Sequence, residues 1–179
     1  MNKVIFPVEI SDVHTHRRDA GPEAIINLAP GEPMLPGHHY SVGIHPWDAA
    51  AVTPERLAAV EQAATLPAVI AIGEAGIDTI HQPAASLERQ IELLRWHIAI
   101  SERLGKPLIL HAVGNALQHI VALRRELRPH QPWIWHGFRG KQQMADQLTA
   151  HGIHISINPS RPPASPVAIP SQFLHHETD

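Results

Sequence analysis

The sequence predicts an α/β fold, a trimmed (β/α)8 barrel formed by a single domain over residues 1–179. Two observations lead there. Short, nearly continuous apolar runs alternate with stretches of helical periodicity, as in parallel sheets covered on both faces. The polar residues that break those runs fall at their C-terminal ends, the end where such barrels carry their sites.

The strands expected, in order, are VEISDVH (8–14), AIINLA (24–29), YSVGIH (40–45), AVIAIG (68–73), PLILH (107–111), PWIWH (132–136), IHISI (153–157) and QFL (172–174). Between them, Thr53 as N-cap and Pro54 at the first helical position open a helix to about Ala64. Ser86 opens a longer one, in which Leu87, Ile91, Leu94, Ile98 and Leu104 recur at helical spacing and Gly105 ends the run. Residues 116–127 and 141–150 supply two more.

Eight strands with only four clear helices make the barrel a short one, since typical examples need about 250 residues. Tyr40 follows His16 by 24 positions, which leaves room for one strand and no helix. The stretch NPSRPPASPVAIP (158–170) replaces the helix before the last strand and is expected as a held surface loop. No eighth helix follows Asp179. A functional carboxylate at the last position is read as the mark of a shortened version of a longer protein.

Composition excludes several classes. Hydrophobic residues make up 44% and charged residues 17%, with a formal charge of −3, which fits neither a disordered polyelectrolyte nor a membrane protein. The basic residues form no run, so any nucleic-acid contact is local rather than a broad duplex-binding surface. The absence of cysteine removes disulfides and thiolate metal sites. The opening MNKVIFPVEISD has too short an apolar run for a signal peptide, and the cytoplasm is the expected location.

The stretch SDVHTH (11–16) closes the first strand. Alternation along a strand places Asp12, His14 and His16 on one face, with neighbours about 7 Å apart along the chain. Glu74 ends AVIAIGE, His111 ends PLILH, His136 ends PWIWH and Asp179 ends LHHETD. In a parallel barrel these ends converge. Four imidazoles and two carboxylates without a thiolate suit Zn²⁺, Mn²⁺ or Mg²⁺, as one ion or as two bridged by a carboxylate. Such a centre activates water and clamps a phosphate or acyl oxygen, so hydrolysis is the natural reaction class.

DVHTH, GIHP (43–46), AIGEAGID (71–78), LILH (108–111), HGFRG (136–140) and ETD (177–179), in that order, resemble the TatD-like metal-dependent deoxyribonucleases. The resemblance implies a barrel hydrolase that cleaves phosphodiesters with one or two divalent ions and metal-activated water. It implies that His14 and His16 bind the first ion, that Glu74 bridges, and that His111 and His136 bind the second. Asp179 would complete the first site and orient or deprotonate the attacking water, so Glu74 and Asp179 are the expected catalytic carboxylates.

The sequence departs from that pattern after Asp78, where Thr79 replaces a common aromatic, and after His111, where Ala112-Val113 stand instead of a residue pair ending in arginine. With the short segment before Tyr40, this points to small or terminal phosphodiesters rather than internal duplex DNA.

His45 and Arg139 are candidate substrate contacts, and Arg17 and Lys141 are loop charges open to the same role. The remaining histidines, among them His38, His39, His119, His130, His175 and His176, read mostly as surface residues, and Trp47, Trp96, Trp133 and Trp135 as core or rim packing. Two other readings stay open: a phosphomonoesterase or other amidohydrolase-like barrel, and a metal-binding barrel without turnover.

Overall fold

A computed structural model describes residues 6–81 and 85–179. The first five residues, part of the segment read for a signal peptide, lie outside it.

Eight strands follow one another around a parallel sheet in chain order. They are β1 (Asp12–Thr15), β2 (Ala24–Leu28), β3 (His39–Val42), β4 (Val69–Asp78), β5 (Leu108–Val113), β6 (Trp133–Trp135), β7 (Ile153–Ile157) and β8 (Leu174–His176). The chain beyond β8 returns to β1. There Thr178 N donates to His14 O at 3.3 Å, and Thr178 Oγ1 lies 2.5 Å from Asp12 Oδ2 and 3.0 Å from Thr15 Oγ1. The expected barrel is thereby nearly closed.

Four helices lie between strands: α1 (Pro54–Ala64), α2 (Leu87–Leu104), α3 (Ala116–Leu127) and α4 (Gln142–Ala150). The expected caps act as donor sinks. Thr53 Oγ1 accepts from Arg56 N and Ser86 Oγ from Arg89 N, while Gly105 ends α2 in the left-handed conformation. The apolar stripe of α2 buries Leu93, Leu94 and Ile98 in the main core, each side chain contributing roughly 2 kcal/mol by removal from water. No helix lies between β1 and β3, and none among the described residues is long and apolar enough to cross a membrane. A 3-10 helix over Pro46–Ala51, absent from the sequence reading, follows β3.

The Pro-rich stretch is a loop pinned to α4, with Gln142 bonded to both Ala168 O (2.9 Å) and Ala168 N (2.7 Å) and with Val167 and Ile169 packed on the core. Inside the barrel, Ile25, Ile70, Ala71 and Ile109 form an apolar layer, and Val13 and Ile134 a second group. Phe6 and Ile10 pack against both.

Some histidines depart from the expected surface placement. His175 is buried with its Nε2 3.1 Å from Nδ1 of the equally buried His154. Alternation along β7 turns His154 away from the face that carries Ile153 and Ile155. His97, on α2, is fully buried. Its Nε2 accepts from Ile44 N at 2.9 Å while its Nδ1 donates to Leu93 O at 2.8 Å.

Candidate metal centre

Glu74 is the junction of the site. It sits in the middle of β4, which runs on to Asp78, past the end expected from the sequence, and it is buried, after Gly73, whose φ of +128° is open to glycine and whose missing Cβ leaves room for Ile109 O. Asn27 Nδ2 on β2 donates to Gly73 O at 2.7 Å, so the strand turns its carboxylate into the barrel mouth with its backbone held.

Four histidines from three segments, the β1 end, β5 and the end of β6, then meet the two carboxylate oxygens. Glu74 Oε1 lies 2.6 Å from His111 Nδ1 and 2.7 Å from His136 Nε2. Glu74 Oε2 lies 3.1 Å from His16 Nε2 and 3.4 Å from His14 Nε2. Asp179 Oδ1 is 3.6 Å from His16 Nε2, and the Asp179 main-chain oxygen accepts from Asn158 Nδ2. All six expected ligand residues are therefore brought to one place. Donor atoms fall within 4.8 Å of one another in the sets His14–His16–Glu74, His14–His136–Asp179 and His45–Glu74–His111.

The residues fit a cation. His14 is fully buried, yet neither ring nitrogen has a hydrogen-bond partner among the described residues. Unpaired buried polar atoms are costly, by about 1–3 kcal/mol each, and a cation between His14 and the facing carboxylates would satisfy Nε2. Oxygen and imidazole donors of this kind suit Zn²⁺, Mn²⁺ or Mg²⁺.

Electrostatics point the same way. Burial pushes the Glu74 carboxyl up, but hydrogen bonds from His111 and His136 and the charge of His136 outweigh it and hold it well below the usual carboxylate range. Burial pushes His136 down, and the carboxylates of Glu177 and Glu74 reverse that and raise it. His14 is lowered by burial and by the charge of His136. Cation binding at such a site releases protons from the imidazoles.

His45 is near the same oxygen, with Nε2 3.4 Å from Glu74 Oε1 and 3.1 Å from His111 Nδ1. Its other nitrogen caps the 3-10 helix: Nδ1 accepts from Trp47 N at 3.2 Å. A neutral imidazole that accepts at Nδ1 carries its proton on Nε2. In that tautomer His45 presents an N–H donor toward the site.

A second layer was not singled out in the sequence. Asp78, at the end of β4 and buried, accepts on Oδ2 from His111 Nε2 (3.1 Å), Trp47 Nε1 (2.8 Å) and His81 Nδ1 (3.2 Å), and on Oδ1 from the main-chain N–H groups of Ile80 and His81. With Nε2–H held by Asp78, Nδ1 of His111 faces Glu74, donates to it while protonated, and is the atom that could take a cation once that proton leaves. Glu177 does related work beside His136. It is buried, bonds Ser156 Oγ, accepts from Gly137 N at 3.0 Å, and lies 3.8 Å from His136 Nδ1. The signal for both was their position in GID and ETD, four residues after Glu74 and two before Asp179.

A pocket of about 350 Å³ opens over the cluster, lined by His16, Asn27, His45, Trp47, Glu74, His111, His136 and Asp179. Arg139 is exposed in the loop after β6 and does not line it. Arg17 is engaged with Asp19 at 3.1 Å, and Lys141 is the exposed N-cap of α4.

Comparison with known proteins agrees with this architecture. The family model described as TatD related DNase matches residues 22–179, a stretch that starts after the opening histidine pair. A Bacillus subtilis protein, the uncharacterized metal-dependent hydrolase YabD, is 28% identical over 146 residues, covering 78% of this chain and 57% of its own. The 3'-5' ssDNA/RNA exonuclease TatD of Musicola paradisiaca is 29% identical over 133 residues, covering 74% of this chain and 49% of its own. The chain thus spans about half the length of the curated relatives it matches. The crystal structure of YjjV, a TatD homologue from Escherichia coli K12, superposes with a TM-score of 0.65 at 21% identity, over 78% of this chain and 58% of that one. With the family model matched from the second strand to the last residue, this chain belongs to the TatD related DNase family.

Proposed function

We propose that the chain is a single-domain, divalent-metal-dependent phosphodiesterase that acts on the ends of short single-stranded nucleic acids or on small phosphodiesters. The observation that carries this reading is Glu74, whose two oxygens separate His14 and His16 on one side from His111 and His136 on the other. The relatives named as 3'-5' ssDNA/RNA exonucleases give it direction.

The residues divide the work. His14, His16 and Asp179 would hold one divalent ion, His111 and His136 a second, with Glu74 shared between them; Zn²⁺, Mn²⁺ and Mg²⁺ all suit the donors. When bound, such ions supply Lewis-acid polarisation of the phosphoryl oxygens and acidify water. His45 donates from Nε2 to a non-bridging phosphate oxygen. Asp179, 30% exposed at the mouth, orients the attacking water and accepts its proton as the water oxygen bonds to phosphorus and the bridging P–O bond breaks. The leaving oxygen takes a proton from solvent, to which Asp179 returns the one it accepted, so the products are a phosphate monoester and an alcohol. The barrel floor behind Glu74 is apolar and excludes further water.

The test is hydrolysis of a short single-stranded oligonucleotide and of closed circular duplex DNA by the Mn²⁺-loaded protein, with Glu74→Gln alongside. Release of mononucleotides from the oligonucleotide, lost in Glu74→Gln, supports the reading. Equal turnover of the closed duplex removes the preference for ends, and ions bound without turnover of either substrate make this a metal-binding barrel.

A further inference from the structure

Trp47 is an unusual tryptophan for this molecule. Trp133 and Trp135 are buried in the core, whereas Trp47 is 42% exposed and lines the pocket over Glu74 and His111. It is nevertheless fixed at both ends. Its indole Nε1 donates to the buried Asp78 at 2.8 Å, and its backbone N–H caps onto His45 Nδ1 at 3.2 Å. Its ring stands edge-on to His45, with centroids 4.6 Å apart, and its centroid is 6.1 Å from that of His111.

A large aromatic held in place with two-fifths of its surface in solvent keeps apolar area wet beyond what its edge contact with His45 covers. Packing alone would have buried the ring, and hydrogen bonding alone would need no ring of this size. The indole thus stands beside two imidazoles, His45 and His111, that themselves face Glu74 Oε1.

We propose that Trp47 is a stacking platform for the nucleobase adjoining the scissile phosphate. This rests on the phosphodiesterase reading above and narrows its substrate to nucleic acid. Every base has a π-face, so such a platform accepts any sequence while rejecting phosphodiesters without a base, and stacking of this kind changes affinity by about tenfold or more. Asp78, which bonds both Trp47 and His111, fixes the platform relative to the reacting phosphate.

The experiment compares two short single strands that differ only in the nucleotide at the cleaved end, one with a base and one abasic, using the Mn²⁺-loaded protein. The quantity read is the ratio of kcat/KM for the two strands. The unaltered protein is expected to favour the base-bearing strand by about tenfold or more, mostly through KM. Trp47→Phe keeps a stacking face and should keep most of that ratio, whereas Trp47→Leu should bring it close to one.

A ratio unchanged in Trp47→Leu overturns the platform, as does a ratio near one in the unaltered protein. The latter comparison needs no variant and stands even if Trp47→Leu fails to fold. Hydrolysis of both strands with no base preference sinks the platform alone. Hydrolysis of neither sinks the phosphodiesterase reading, and the platform with it.

Discussion

The two oxygens of Glu74 face unlike surroundings. On the Oε1 side, His111 is locked by Asp78, which is itself held by Trp47, His81 and two main-chain N–H groups. On the Oε2 side, neither ring nitrogen of His14 has a hydrogen-bond partner among the described residues, the His16 side chain is 52% exposed, and Asp179 is reached through the last segment of chain. On the Oε1 side His111 is fixed without a cation, though His136 Nδ1 is buried with no hydrogen-bond partner among the described residues; on the Oε2 side a cation would have to organise His14 at Nε2. An ion on the Oε1 side should therefore bind first and leave last, because the ordering cost there has already been met by hydrogen bonds within the protein.

The largest effect expected is on the residue common to both halves. Glu74→Gln should lower hydrolysis by about three orders of magnitude, equivalent to roughly 4 kcal/mol of barrier, with the circular dichroism spectrum retained. A variant with near-normal rates would mean that the two halves do not share a carboxylate.

Next comes a pH effect that reports on the locked half. His97 holds Ile44 N, next to His45, and burial pushes its pKa down to about 4 from 6.5. The unfolded chain binds more protons than the folded one between those values, so stability rises with pH across that window. It is lost as pH falls from about 6.5 through about 4, by roughly 3 kcal/mol for the full shift. Denaturation of the metal-free protein at pH 7 and pH 4 should show that excess loss relative to His97→Gln; parallel losses in the two proteins would contradict it.

Asp78→Asn should weaken one ion by about 10- to 100-fold and leave the other close to its original affinity. Titration followed by Mn²⁺ electron paramagnetic resonance would show whether the loss is confined to one site. The smallest effect expected is from His16→Ala, about tenfold and on the opposite ion, since a half-exposed ligand can be replaced by water. If Asp78→Asn and His16→Ala weakened the same ion, the division of the site by Glu74 would be wrong.

Much of the fold was legible because it rests on local rules. Thr53, Ser86 and Gly105 cap where they were expected to, and the apolar runs became strands that gather His14, His16, Glu74, His111, His136 and Asp179. What was not legible depends on partners far along the chain. Asp78 looks like one more polar residue at a strand end until Trp47, 31 positions earlier, and His111, 33 positions later, are brought onto its oxygen. His175 adjoins exposed His176, and its burial depends on His154, 21 positions away. His97 gave a local hint, since it follows Leu94 by three positions on the buried face of α2, but its acceptor role needs Ile44. The closure of the barrel by Thr178 on Asp12 joins residues 166 positions apart, a pairing no periodicity reveals.

The division of the centre by Glu74 is tested most directly by metal content, read by elemental mass spectrometry after incubation with Mn²⁺ and removal of free ion. The unaltered protein should retain between one and two equivalents, with the tighter one surviving longer dialysis, and Glu74→Gln should retain less than one. No retained ion in the unaltered protein, or identical retention in Glu74→Gln, would contradict a centre built around this carboxylate.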